Sequence, residues 1–159
     1  MNFEHSIGGL VCRGAVRLCE GRDLQRVLEI ERSCFDEPYG SASFSYLLSS
    51  DPEGFLVLEC DGRVVGYTIG QVRSGTGLVV SLAVDAGYRG GGLGESLLTE
   101  LLKHFQQKLV RHVKLQVDVR NMFAIRVYEK LGFRVKKTLM GYYSSGRDAY
   151  LMTKNLDWS

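Results

Sequence analysis

The stretch Leu78-Val79-Val80-Ser81-Leu82-Ala83-Val84-Asp85-Ala86-Gly87-Tyr88-Arg89-Gly90-Gly91-Gly92-Leu93-Gly94-Glu95-Ser96-Leu97-Leu98 decides the fold. A mostly apolar segment, Leu78 to Val84, reads as a strand and runs into a glycine cluster. Leu93, Leu97, Leu98, Leu101, Leu102 and Phe105 then recur at helical spacing to about Lys108. A helix start exposes unpaired N–H groups, and the helix dipole adds partial positive charge there. Glycines let such a backbone approach a ligand closely, and Arg89 adds a full charge. The expectation is an anion cradle suited to a phosphate group; the plainer alternative is a flexible turn.

Upstream, Ala15 to Cys19 alternates as a short strand, and Leu24, Val27, Leu28 and Glu31 fall at helical spacing toward Cys34 and Phe35. Phe35-Asp36-Glu37-Pro38-Tyr39-Gly40 breaks that helix, and Ser41 can cap a second one carrying Phe44, Leu47 and Leu48. Phe55–Cys60 and Val64–Val72 read as a hairpin about Asp61-Gly62, and Leu78–Val84 extends the meander. Downstream, Leu115, Val117 and Val119 alternate with Lys114, Gln116 and Asp118, which predicts a strand over His112 to Val119. Asn121 can cap a last helix bearing Ala124, Val127, Tyr128 and Leu131, with Gly132 ending it. Arg134–Tyr142 and Ala149–Asn155 close the chain as a hairpin, and residues 1–14 read as an N-terminal tail.

The bulk numbers set limits. A chain of 159 residues suits one domain, taken here as 15–156, and a formal charge of +2 gives no argument for nucleic acid or membrane as partner. No apolar run nears the roughly 20 residues that span a bilayer. Cys12, Cys19, Cys34 and Cys60 include no CxxC pair and no histidine at ligand spacing, so buried thiols, no metal and a reducing cytoplasmic setting are expected. The loop is no P-loop, because Glu95 and Ser96 stand after Gly94 where Lys and Ser or Thr would be needed. The meander before the loop also argues against a doubly wound dinucleotide fold.

Arg89-Gly90-Gly91-Gly92-Leu93-Gly94 at a strand-to-helix junction resembles the acetyl-CoA loop of the GNAT N-acetyltransferases. Leu82-Ala83-Val84-Asp85 resembles their fourth strand, and Asn121, Ala124 and Tyr128-Glu129-Lys130-Leu131-Gly132-Phe133 their later signature. The order of elements agrees from Ala15 to Asn155. The resemblance implies a mixed α+β fold with a mostly antiparallel seven-stranded sheet, splayed fourth and fifth strands, and four helices. Cys34-Phe35-Asp36-Glu37-Pro38-Tyr39 and Tyr142 to Met152 resemble the interhelical loop and closing hairpin of the ribosomal-protein alanine and archaeal amino-terminal acetyltransferases.

That resemblance implies N-α-acetylation of protein N-termini, with acetyl-CoA as co-substrate and nascent chains or ribosomal proteins among candidate partners. Arg89, Gly90, Gly91, Gly92, Leu93 and Gly94 would hold the pyrophosphate, and Leu82, Ala83 and Val84 the pantetheine. Asn121 would contact the cofactor or serve only as a helix cap. Tyr128 would donate a proton near the sulfur or simply fill the core. Glu37, through water, is the first choice of base, because Gln116 stands where bacterial relatives carry a glutamate; Asp118 is the reserve. Tyr39, Tyr142 and Tyr143 would hold the peptide or pack against one another. An α-amine with a pKa of about 7.7–8.0, against about 10.4 for lysine, suits a site lacking a strong base. Lysine or small-amine acetylation, and an acetyl-CoA-binding module without turnover, are the alternatives.

Overall fold

The computed structural model describes the backbone at 2–7 and 10–157, and side chains from Cys12 to Asp157. The elements are β1 (Asn2–Ile7), β2 (Leu10–Leu18), α1 (Leu24–Cys34), α2 (Ser41–Ser50), β3 (Phe55–Cys60), β4 (Arg63–Arg73) and β5 (Thr76–Val84), followed by α3 (Leu93–Gln107), β6 (His112–Asp118), α4 (Met122–Lys130), β7 (Arg134–Leu139) and β8 (Ala149–Asn155). They build one sheet in the order β1-β2-β3-β4-β5-β6-β8-β7.

Alternation along the central strands supplies two cores. Phe55, Val57, Tyr67 and Ile69 face α1 and α2, where they meet Val27, Ile30 and Phe44. Leu56, Leu58 and Val65 face α3 and α4, against Leu97, Leu98, Leu101 and Phe105. Phe44 meets Phe55 and Tyr67 edge-on at 5.9 and 5.8 Å between ring centroids. Burying each such side chain contributes about 1.5–3 kcal/mol.

All pairings are antiparallel except β5–β6, which spans only Thr76↔His112, Gly77↔Val113 and Leu78↔Lys114. Past Leu78 the two strands part. β5 follows β4 as far as Gly66↔Val84, while β6 follows β8 as far as Asp118↔Ala149. A register shift between Ile69 and Gly70 sits beside the parting point, and bulges of that kind bend a strand and increase its twist. The expected splay is therefore present. The fourth and fifth strands of the sequence reading are β5 and β6 here, because one strand precedes them.

That extra strand corrects the N-terminal tail. Asn2–Ile7 pairs antiparallel with β2, from Asn2↔Ala15 to Ile7↔Leu10, so the sheet has eight strands rather than seven. The cysteine expectation also changes. Cys12 and Cys60 form a disulfide between β2 and β3 with a Cα separation of 5.5 Å, and only Cys19 and Cys34 are free thiols among the described residues. Buried thiols were the basis for a reducing compartment, so that support is withdrawn. Smaller adjustments follow from local backbone. Gly40 rather than Ser41 is the N-cap of α2, and β7 stops at Leu139, ahead of Gly141 at a φ of 61°. Tyr142 and Tyr143 therefore lie in the connecting turn. Among the described residues no helix is long and apolar enough to cross a membrane.

Candidate active site

The parting of β5 and β6 opens a cavity of about 610 Å³. Val80, Ser81, Leu82 and Ala83 form one wall and Gln116, Val117 and Asp118 the other. Arg89, Asn121, Phe123 and Tyr128 also line it, with Glu31, Glu37, Tyr39, Tyr142, Tyr143 and Arg147. Of the three residues expected along the pantetheine, Leu82 and Ala83 line it. Val84 does not, and its carbonyl accepts from Arg89 Nε at 2.9 Å.

The glycine loop has the backbone that the sequence suggests. Gly90 and Gly92 adopt φ of 89° and 80°, and Gly92 is the N-cap of the 15-residue α3. Gly94 serves packing instead. A Cβ there would meet Phe123 Cζ and Val127 Cγ2 at 3.1 Å, so its absence lets α3 and α4 close together. Arg89 reaches back rather than outward. Its guanidinium lies 4.7 Å from the Phe123 ring centroid, with Nη2 3.2 Å from Cys34 Sγ. Leu93 is buried in the core. The loop fits an anion, given one guanidinium and the N–H groups of a long helix's first turn. Asn121 caps α4, its Oδ1 accepting from Ala124 N at 3.2 Å, while it also lines the cavity.

Tyr128 is 4% exposed and packs on Phe133 at 5.7 Å between ring centroids. Among the described residues its hydroxyl has no hydrogen-bond partner, although the residue borders the cavity. Burial pushes its pKa well above that of free tyrosine, so it stays a proton donor at neutral pH.

Beside the cavity two loops form a clasp. Glu37 is exposed and accepts from the Ser144 hydroxyl and from Ser145 N at 3.2 Å. The Ser144 bond is the main reason its pKa falls below the usual carboxylate range. Arg147 donates to Asp118 at 2.6 Å and pairs with Asp36 at 3.1 Å. Burial alone would raise Asp118, but the Arg120 N–H and the Arg147 guanidinium outweigh it and hold it low. Tyr142 and Tyr143 stack edge-on at 5.1 Å, and Tyr143 is pushed up to about 12, first by burial and then by Asp118. Tyr39 lies across from them against Phe44. Gln116 faces the cavity from β6 and supplies no acid.

The structure thus brings Glu37, Tyr39, Leu82, Ala83, Arg89, Asn121, Tyr128, Tyr142 and Tyr143 to one cleft, does not place Val84 or Gly90 to Gly94 on its lining, and adds groups that were not singled out. Glu31 is 2% exposed within the cavity wall, bonded to Tyr67, Ser81 and Tyr39. Its signal in the sequence was a carboxylate at an apolar-face position of α1. Arg147, Asp36 and Phe123 had no local signal. Among the described residues no three His, Cys, Asp or Glu side chains are grouped to hold a metal ion.

Comparison with known proteins agrees with this geometry. The acetyltransferase (GNAT) family model matches residues 24–133. An uncharacterised N-acetyltransferase of Methanocaldococcus jannaschii is 41% identical over 140 residues, covering 87% of this chain and 90% of that protein. An N-alpha-acetyltransferase of Sulfurisphaera tokodaii is 36% identical over 147 residues, covering 84% and 88%. The crystal structure of Ard1 from Thermoplasma volcanium superposes with a TM-score of 0.86 at 31% identity, over 91% of this chain and 98% of that one. The chain belongs to the GNAT acetyltransferase family. It is an enzyme of the N-acetyltransferase class, working with acetyl-CoA.

Proposed function

We propose that the protein transfers the acetyl group of acetyl-CoA to the free α-amine of protein or peptide N-termini. The observation that carries this reading is the state of the carboxylates at the cavity mouth. Glu37 and Asp118 are both held below the usual carboxylate range by their hydrogen-bond donors and by Arg147. They attract an ammonium group but are weak bases. At neutral pH roughly a tenth or more of α-amines are already neutral, against well under a thousandth of lysines, given pKa values near 7.7–8.0 and 10.4. The archaeal relatives named N-alpha-acetyltransferase support the same acceptor.

In this reading Leu82 and Ala83 flank the pantetheine arm, and the Arg89–Gly94 loop takes the pyrophosphate, with Asn121 beside it. The entering amine displaces Ser144 from Glu37, which accepts the excess proton through water, while Tyr39, Tyr142 and Tyr143 hold the first residues. The neutral amine attacks the acetyl carbonyl, a C–N bond forms, and the C–S bond breaks. The Tyr128 hydroxyl hydrogen-bonds the departing sulfur, which takes the proton released by the amine nitrogen through solvent. Nascent chains and ribosomal proteins are the candidate partners, in the cytoplasm, where acetyl-CoA and new N-termini meet.

The test uses peptides with free or blocked N-termini, each with and without an internal lysine. Turnover is expected on both free peptides and on neither blocked one. Transfer only to peptides containing lysine would remove the α-amine reading; tight CoA binding without turnover would mean that catalysis has been lost.

A further inference from the structure

We infer that Glu31 is the positioning residue that sets the acceptor side of the cavity in register with the cofactor side. It deepens the acetyltransferase reading and rests on it. Glu31 touches both sides with one buried carboxylate. Its Oε2 accepts the Tyr39 N–H at 3.0 Å, at the end of the Glu37 loop. Its Oε1 accepts from the Tyr67 hydroxyl on β4 and from Ser81 Oγ on β5 at 3.2 Å. Ser81 directly precedes Leu82 on the wall where pantetheine would lie. Tyr67 and Ser81 also approach each other, at 3.3 Å between oxygens, so three hydrogen-bonding groups converge on the carboxylate.

The contacts are costly to build and have no simpler purpose in the core. Tyr67 is fully buried and Ser81 is 7% exposed. Apolar side chains of similar size would fill the same space without desolvating a carboxylate. What an apolar replacement cannot do is hold the Tyr39 amide. That bond fixes the loop two residues beyond Glu37 to the same strand that carries the thioester. Transfer needs amine and carbonyl within about 3–3.5 Å, and a misplacement of about 1 Å can cost about a hundredfold in rate.

Two substitutions separate a positioning role from a proton-accepting one. Glu31→Leu removes both links. Glu31→Gln keeps them, because its carbonyl can accept from Tyr39 N while its amide donates to the Tyr67 and Ser81 hydroxyls, which accept as well as donate. For Glu31→Leu we expect kcat to fall about ten- to a hundredfold. Its acetyl-CoA affinity should stay within about twofold, since the pyrophosphate loop is untouched. Hydrogen exchange at the Tyr39 amide should rise about tenfold or more, once its acceptor is gone. Glu31→Gln should stay within about threefold of the wild type in kcat and in exchange.

Glu31→Gln as slow as Glu31→Leu, with the Tyr39 amide still protected, would overturn the inference and make the carboxylate a proton acceptor. Unchanged kcat and exchange in Glu31→Leu would overturn it too. The rates are taken with whichever amine the wild type acetylates fastest. A failure of the α-amine reading therefore appears in the wild type, and a failure of this inference in the variant ratios and the exchange data.

Discussion

Tyr128 and Glu37 have opposite surroundings, and the roles proposed for them rest on that difference. A tyrosine whose ring is buried, whose hydroxyl meets the cavity and whose pKa is pushed up stays protonated, and can donate a hydrogen bond to a departing thiolate. Tyr128→Phe should lower kcat about 10²–10⁴-fold, the usual worth of a positioned proton donor, with little change in thermal stability. Single-turnover kinetics checks this, and an unaltered chemical step would return Tyr128 to the core. Glu37 is ionised at every pH where the protein would work, so it should not shape the pH profile. The rate should rise with the acceptor's own pKa, about 7.7–8.0 for an α-amine. Glu37→Gln should lower the whole curve about tenfold or more without moving that limb. A rising limb that shifts in this variant would contradict the assignment.

At the scale of elements, a clasp joins the α1–α2 loop to the β7–β8 turn beside the cavity. Arg147 joins β8's approach to Asp118 at the end of β6 and to Asp36 across the mouth. Arg147→Ala should lower Tm, since Asp118 would keep only the Arg120 N–H and the more distant Arg120 guanidinium. The sign with pH follows from Asp118. Its folded pKa is depressed, so the contribution is present above its unfolded value near about 3.9 and is lost as pH falls through the folded value. The Tm difference between wild type and variant, read by thermal melts, should therefore shrink in acid. A difference that persists at low pH would mean that packing, not the ion pair, holds the clasp. The peptide KM should also rise several-fold while acetyl-CoA affinity holds.

Local elements were the legible ones. The strand, glycine loop and α3 follow each other in sequence, so periodicity and Gly90 to Gly94 announce them together. Asn121 and Gly132 mark both ends of α4 in the same way. Glu31 was seen only as part of a helical stripe, because Tyr67 and Ser81 reach it from 36 and 50 residues away. The clasp was hidden for the same reason. Ser144 and Glu37 are 107 residues apart, and nothing local to either points to the other.

At the scale of the whole molecule, the sheet gained a strand and a covalent link. Cys12 and Cys60 are separated by 48 residues, so their pairing depended on β2 lying against β3. Intracellular disulfides are uncommon in mesophiles but abundant in hyperthermophilic organisms, and a cytoplasmic role is compatible with one. Closing a loop of this length contributes about 2–4 kcal/mol. Melts with and without reductant should show Tm about 4–16 °C lower when reduced. Thiol titration of the unfolded, unreduced protein should find two thiols, Cys19 and Cys34. Four reactive thiols would contradict the bond.

The fold, the splay and the glycine loop would serve any acetyl-CoA-dependent transfer, so they leave the acceptor to the cavity mouth. The most direct measurement gives the enzyme one peptide carrying both a free N-terminus and an internal lysine, at neutral pH with acetyl-CoA. Fragmentation mass spectrometry then locates the acetyl group. The carboxylates held low around the clasp lead us to expect it on the first residue, with the lysine unmodified. An acetyl group on the lysine side chain, with the N-terminus free, would contradict the account.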